Sequence, residues 1–135
     1  MGNRAVIGFA SNGKQDKNNI GIYLHWNGGR DSVEGFLETA KQYDVRFDNY
    51  GVARLIQIIC NTLDGTLGVG VDIIKNLDCD NYDNGLYWIN EKLEIIGREY
   101  NQYPEQKEYP LNEFVEHCQK SNNIHFKNYM ERKGV

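Results

Sequence analysis

Apolar and polar positions along the chain follow two different rhythms, and each change of rhythm marks an element. Ala5-Val6-Ile7-Gly8-Phe9-Ala10 is an unbroken apolar run of strand length. The polar stretch from Ser11 to Asn19 turns the chain, and Ile20 to Trp26 reads as a second strand, so the pair predicts a hairpin with a long loop. The period then switches. Val33, Phe36, Leu37 and Ala40 recur at i, i+3, i+4 and i+7, predicting an amphipathic helix from Asp31 to Tyr43. Asp31 and Glu34 have the spacing of a capping box at its start.

A broader apolar stripe follows. Val52, Leu55, Ile56 and Ile59, widened by Ile58 and Cys60, predict the central helix of the core, capped by Asp48 or Asn49 and stopped at Asp64-Gly65. Leu67 to Val71 predicts a glycine-containing strand lying close to another backbone. Leu86 to Ile89 and Leu93 to Ile96 predict a second hairpin around Asn90-Glu91-Lys92, after the tight-turn dipeptide Asn84-Gly85. Leu111, Phe114, Val115 and Cys118 predict a third, shorter helix capped by Asn112, and the polar tail from Ser121 to Val135 is expected to be loosely held. The order β-β-α-α-β-β-β-α predicts one α+β domain over residues 1–135, an antiparallel sheet of about five strands with two to three helices packed on one face.

Composition narrows the function classes. Nine Tyr, five Phe and two Trp make aromatic packing a large part of the core. The formal charge is −4, from 19 acidic against 15 basic residues, which argues against direct nucleic-acid binding, because that needs a basic surface to displace counterions from phosphates. It is compatible with a basic protein partner. Cys60, Cys79 and Cys118 are odd in number and lack scaffold spacing, so a reducing, cytoplasmic setting is expected. No apolar stretch has signal-peptide or membrane-span character, and Val6 breaks the myristoylation pattern that Met1-Gly2 begins.

Three constellations carry candidate chemistry. The acidic loop Asp78-Cys79-Asp80-Asn81-Tyr82-Asp83-Asn84-Gly85 is dense in hard oxygen donors of the kind that hold Ca²⁺ or Mg²⁺. Read as a Ca²⁺ loop from Asp80, it places Gly85 sixth and Glu91 twelfth, but puts Tyr82 where an oxygen ligand belongs. A solvated turn held by Asx hydrogen bonds is the alternative. A zinc site would draw on His25 and Cys79 with Asp80 or Asp83, although the chain has no Cys-x-x-Cys pair to anchor one. The turn Asn27-Gly28-Gly29-Arg30-Asp31-Ser32 leads into the first helix, where free N–H groups with Trp26, Asn27, Arg30 and Arg54 would suit a nucleotide. Covalent catalysis is not expected: no Gly-x-Ser-x-Gly elbow occurs, and acids around Cys79 disfavour its thiolate.

The opening Gly2-Asn3-Arg4-Ala5-Val6-Ile7, the run Ile22-Tyr23-Leu24-His25-Trp26-Asn27-Gly28-Gly29 and the loop Asp78-Cys79-Asp80-Asn81 together resemble a family of small proteins from phages, prophages and other bacterial mobile elements. The resemblance spans most of residues 1–100. It brings no catalytic residues. It implies an anti-defence role similar to that of anti-CRISPR proteins, that is, a non-enzymatic protein inhibiting a host nuclease. The contact patch expected for such an inhibitor is Asp78, Asp80, Tyr82, Asp83 and Tyr87, carboxylates and aromatics suited to a basic surface. Sequestration of a nucleotide signal by Trp26, Asn27, Arg30 and Arg54 is the second expectation, and a metal-dependent hydrolase on the acidic loop the third.

Overall fold

In the computed structural model, which describes residues 2–127, the first apolar run is the strand β1 (Ala5–Phe9), buried along its whole length. Its apolarity on both sides reflects its position at the middle of a five-stranded sheet, in the order β3-β2-β1-β4-β5. The others are β2 (Ile20–Leu24), β3 (Val69–Ile73), β4 (Leu86–Ile89) and β5 (Ile95–Glu99). Three helices, α1 (Arg30–Gln42), α2 (Asn49–Thr62) and α3 (Leu111–His125), complete the α+β domain.

The sheet is mixed. β1 pairs antiparallel with β2, β2 with β3 and β4 with β5, but β1 and β4 run parallel, with Val6 opposite Leu86 and Phe9 opposite Ile89. The expected all-antiparallel sheet fails at this central pair for a topological reason. β3 ends up parallel to β1, as does β4, so the chain must travel back along the full sheet between them. That crossover is the segment from Ile74 to Gly85, opened by a single 3₁₀ turn at Ile74–Asn76.

The crossover decides what covers each face. On one face Ala5, Ile7, Phe9, Ile22, Leu24, Tyr87 and Ile89 pack against Val33, Phe36 and Leu37 of α1, Leu55, Ile58 and Ile59 of α2, and Phe114 and Cys118 of α3. On the other, Val6, Ala10, Leu86 and Trp88 lie under Ile74 and Cys79. Each fully buried Leu or Ile contributes roughly 1.5–3 kcal/mol by leaving water, so both layers matter. The Trp88 indole N–H finds Glu99 Oε2 at 2.6 Å, which lets so large a polar-tipped ring be buried completely.

Local signals were mostly followed, with physical exceptions. Asp48 caps α2 by accepting from the Gly51 N–H at 3.0 Å, and this bond holds its carboxyl below the usual range. The capping box at Asp31 does not form: Gly29 is the N-cap of α1, and the Asp31 carboxylate is turned to another segment. Pro110, not Asn112, precedes the first turn of α3. β5 starts later than expected because Leu93, at φ +59°, belongs to a turn tied by the Asn90 side chain. β3 likewise starts two residues late, and Gly70 has only the Tyr23 Cβ near it, so it is no site of close backbone approach. The segment 121–125, expected to be loose, is the last part of α3, where buried Asn122 donates to Cys118 O, Ile58 O and Thr62 Oγ1. The rest of the expected tail, 128–135, lies outside the described residues.

Candidate functional site

The acidic loop is a rigid, asparagine-stapled turn at the end of the crossover. Asn81 is buried and joins both legs: its Nδ2 donates to Asp78 O (2.9 Å) and Gly85 O (3.3 Å), and its Oδ1 accepts from Asp83 N (3.1 Å) and Gly85 N (3.0 Å). Gly85 is required where it stands. Its φ is +78°, and a Cβ there would lie 2.3 Å from Glu99 O. Asn84, fully buried, is the hub between three segments. Its Nδ2 donates to Asn3 Oδ1 (2.6 Å) and Arg4 O (2.9 Å), and its Oδ1 accepts from Gln106 N (2.7 Å).

Asp83 serves the same framework. Its Oδ2 accepts from Arg4 Nε at 2.7 Å and Arg4 N at 3.1 Å, while its Oδ1 accepts from Gln106 Nε2 at 3.1 Å. The hydrogen bond to Asp83 pushes the Arg4 guanidinium pKa above its ordinary value. Tyr87 is also structural. It is wholly buried on β4 and donates to Glu105 Oε2 at 2.6 Å; burial and that bond push its phenol far above the usual range. Of the five residues expected to form a contact patch, Asp83 and Tyr87 therefore face inward to the fold, and Asp78, Asp80 and Tyr82 are exposed.

The framework presents a small, well-held surface. Tyr82 stands at the tip with φ +62°, a conformation that a bulky side chain adopts only when its surroundings impose it. Its ring is 63% exposed and meets Tyr103 edge-on, with centroids 5.8 Å apart. Tyr103 is itself 44% exposed, and its carbonyl accepts from Arg98 at 2.8 Å. Asp80 lies beside the pair and accepts from Gln102 Nε2 at 3.3 Å. Sequence reading missed Tyr103 and Gln102, because the stretch after β5 carries no periodicity. The dipeptide Tyr103-Pro104 was the only local signal there.

The residues considered for a metal are placed separately. The Cys79 thiol is buried, donates to Ile74 O at 3.6 Å, and is pushed by burial from 9.0 up to about 11. His25 Nδ1 bonds the Tyr23 hydroxyl at 2.9 Å, and Asp83 is held by Arg4 and Gln106. Among the described residues no group of three or more His, Cys, Asp or Glu is arranged to hold an ion. The Ca²⁺-loop frame from Asp80 to Glu91 does not wrap, because Leu86–Ile89 in its middle is strand β4 and the Glu91 carboxylate accepts from Asn12 N.

The start of α1 is likewise occupied. A Cβ on Gly29 would lie 2.0 Å from Gln106 O, and Asp31 Oδ2 accepts from Glu108 N (2.8 Å) and Tyr109 N (2.9 Å). Residues 105–109 thus strap the helix N-terminus, and Arg30 pairs with Glu34. Trp26 is exposed and edge-on to His25, whereas Arg54 lies over Tyr50 on α2, so the expected nucleotide set is not gathered into one site.

Among the described residues no helix is long and apolar enough to cross a membrane. Models of protein families, the curated proteins and the solved structures gave no match to the chain.

Proposed function

We propose that this protein is a non-enzymatic binder whose contact surface is centred on Tyr82 and Tyr103 with Asp80 and Asp78 beside them. The observation that carries the reading is Tyr82 itself, an exposed aromatic held at positive φ on a turn whose own polar groups are satisfied. A bulky residue held there costs on the order of 1–3 kcal/mol and persists only where the surroundings over-determine it, and such strain clusters at functional surfaces. Exposed tyrosines rimmed by carboxylates suit a partner surface rich in Arg and Lys, where rings stack on guanidinium groups and carboxylates form charge-assisted bonds. The partner class follows from the resemblance to proteins of mobile elements: a nucleic-acid-guided nuclease of host defence, whose nucleic-acid channel is basic. The protein would compete for that surface.

Affinity capture from a bacterial lysate carrying such a nuclease tests this. The tagged protein should retain the nuclease in stoichiometric amount, and the double variant Asp80→Arg, Tyr82→Ala should lose it on the order of tenfold or more, as expected for a central aromatic hot spot. Equal retention by a folded variant, or no nuclease in the eluate, would overturn the reading.

A further inference from the structure

β3 is an edge strand, and among the described residues nothing pairs with its outer side. The direction of its backbone groups follows from two bonds that flank its pairing with β2. His25 N donates to Gly68 O at 2.9 Å, and Ile74 N donates to Asn19 O at 2.8 Å. Even-numbered residues from 68 to 74 therefore bond inward, and Val69, Val71 and Ile73 turn their N–H and C=O groups outward. The same three sit opposite Leu24, Ile22 and Ile20, so their side chains share the helix-covered face. At its rim Val71 is nevertheless 52% exposed.

Natural edge strands are usually guarded by Lys, Pro, a bulge or an inward-pointing charge. Val69-Gly70-Val71-Asp72-Ile73 has no Lys or Pro, and its pairing with β2 runs without a register shift. Its one charge, Asp72, points to the opposite face from the valines. Locally, Asp72 Oδ1 accepts from Ile73 N at 2.7 Å, among the described residues the only side-chain bond to an outward amide of this strand.

We infer that β3 pairs antiparallel with β3 of a second copy of this chain, about a two-fold axis at Val71, so that one continuous sheet spans both. The register is chemically self-complementary. Val71 faces Val71, Val69 faces Ile73, and each facing pair exchanges the outward N–H and C=O groups just described, the Ile73 N–H trading its Asp72 acceptor for the Val69 carbonyl. The β-branched side chains of both strands then line one face, where such cross-strand neighbours stabilise a sheet. On the other face Asp72 lies opposite Gly70, so no like charges are brought together. A register shifted by two residues, centred on Asp72, would set Asp72 opposite Asp72 of the second copy and leave Val69 and Gly70 without strand partners. The strip is short, so the association is weak, with a dissociation constant between roughly 1 µM and 1 mM. This interface uses no residue of the Tyr82 turn and stands independently of the function proposed above.

Sedimentation equilibrium over a concentration series is the test. The average mass of the wild-type chain should climb from 15.6 kDa toward twice that value. Val71→Pro removes an outward N–H and leaves the inward ladder intact, and Val71→Lys adds a charge at the axis. Both should stay at the mass of one chain with an unchanged circular dichroism spectrum, and Val71→Lys carries the test should Val71→Pro unfold. In a dimer of mixed isotope labelling, contacts between Val69 of one copy and Ile73 of the other should be seen by NMR. A single-chain mass up to millimolar protein, a dimer that survives Val71→Lys, or a dimer lacking the Val69–Ile73 contact would each overturn the inference. The last two results would place the dimer contact in another register or on another surface.

Discussion

The rings of Tyr82 and Tyr103 meet edge-on with centroids 5.8 Å apart, joining the acidic turn to the segment after β5. Each ring alone would be a solvated tyrosine on a loop. Together, above Asn81, Asn84 and Arg98, they form a surface whose geometry is fixed before any partner arrives. Pre-organisation of this kind reduces the entropy lost on binding.

Tyr82→Gly separates folding from binding. Glycine removes a left-handed penalty of about 1–2 kcal/mol for a side chain, while losing an aromatic pair of about 0.5–1.5 kcal/mol. The two nearly cancel, so urea unfolding should give a stability within about 1 kcal/mol of wild type. Partner binding should nonetheless be lost. A large fall in stability would show that the ring belongs to the fold.

Asn84→Ala should behave in the opposite way. It orphans Asn3 Oδ1 and Gln106 N, while Arg4 O keeps its bond from the Asn84 backbone N–H at 3.0 Å. At about 1–3 kcal/mol for each unsatisfied buried group, partly relieved by water entry, a loss of about 2–4 kcal/mol is expected. Chemical denaturation measures it directly, and a loss under about 1 kcal/mol would contradict the hub role.

How much of this was legible in the sequence depends on chain separation. The apolar stripe of α2 and its cap are local patterns; the stripe was read correctly, and of the two cap candidates, Asp48 and Asn49, the structure uses Asp48. The Asn84-Gly85 turn was also visible, but the bonds from Asn84 to Asn3 and Gln106 were not, because they join residues distant in sequence. Tyr87 looked like a surface aromatic next to an acidic loop. Strand alternation alone does not say that β4 is central with both faces covered, which is why it is buried. Asp31 had the spacing of a cap and is used instead to hold the 108–109 backbone.

That use of Asp31 is testable by amide exchange. Asp31→Ala removes the acceptor for the Glu108 and Tyr109 amides, so their hydrogen exchange should accelerate while the core amides of β1 stay protected. Unchanged exchange at both positions would show that the strap is held by other contacts.

Alkali should unfold the protein through its buried thiols. Burial raises Cys79 and Cys118 from 9.0 to about 11 each. Between those values the unfolded chain loses protons that the folded chain keeps, so stability is full below pH 9 and falls as pH rises toward 11. The buried phenol of Tyr87 adds to the loss in the same direction. Denaturation midpoints measured across this range should fall, and Cys118→Ala should flatten the slope. A slope identical to wild type in that variant would contradict the assignment to Cys118.

The most direct measurement is plasmid interference in cells that carry an active nucleic-acid-guided nuclease, with and without this protein. The account predicts that wild type restores transformation by a targeted plasmid, and that Asp80→Arg, Tyr82→Ala, present at equal level and folded, does not. Full protection by the double variant, or no protection by wild type against any such nuclease, would contradict the claim that the Tyr82 turn carries the function.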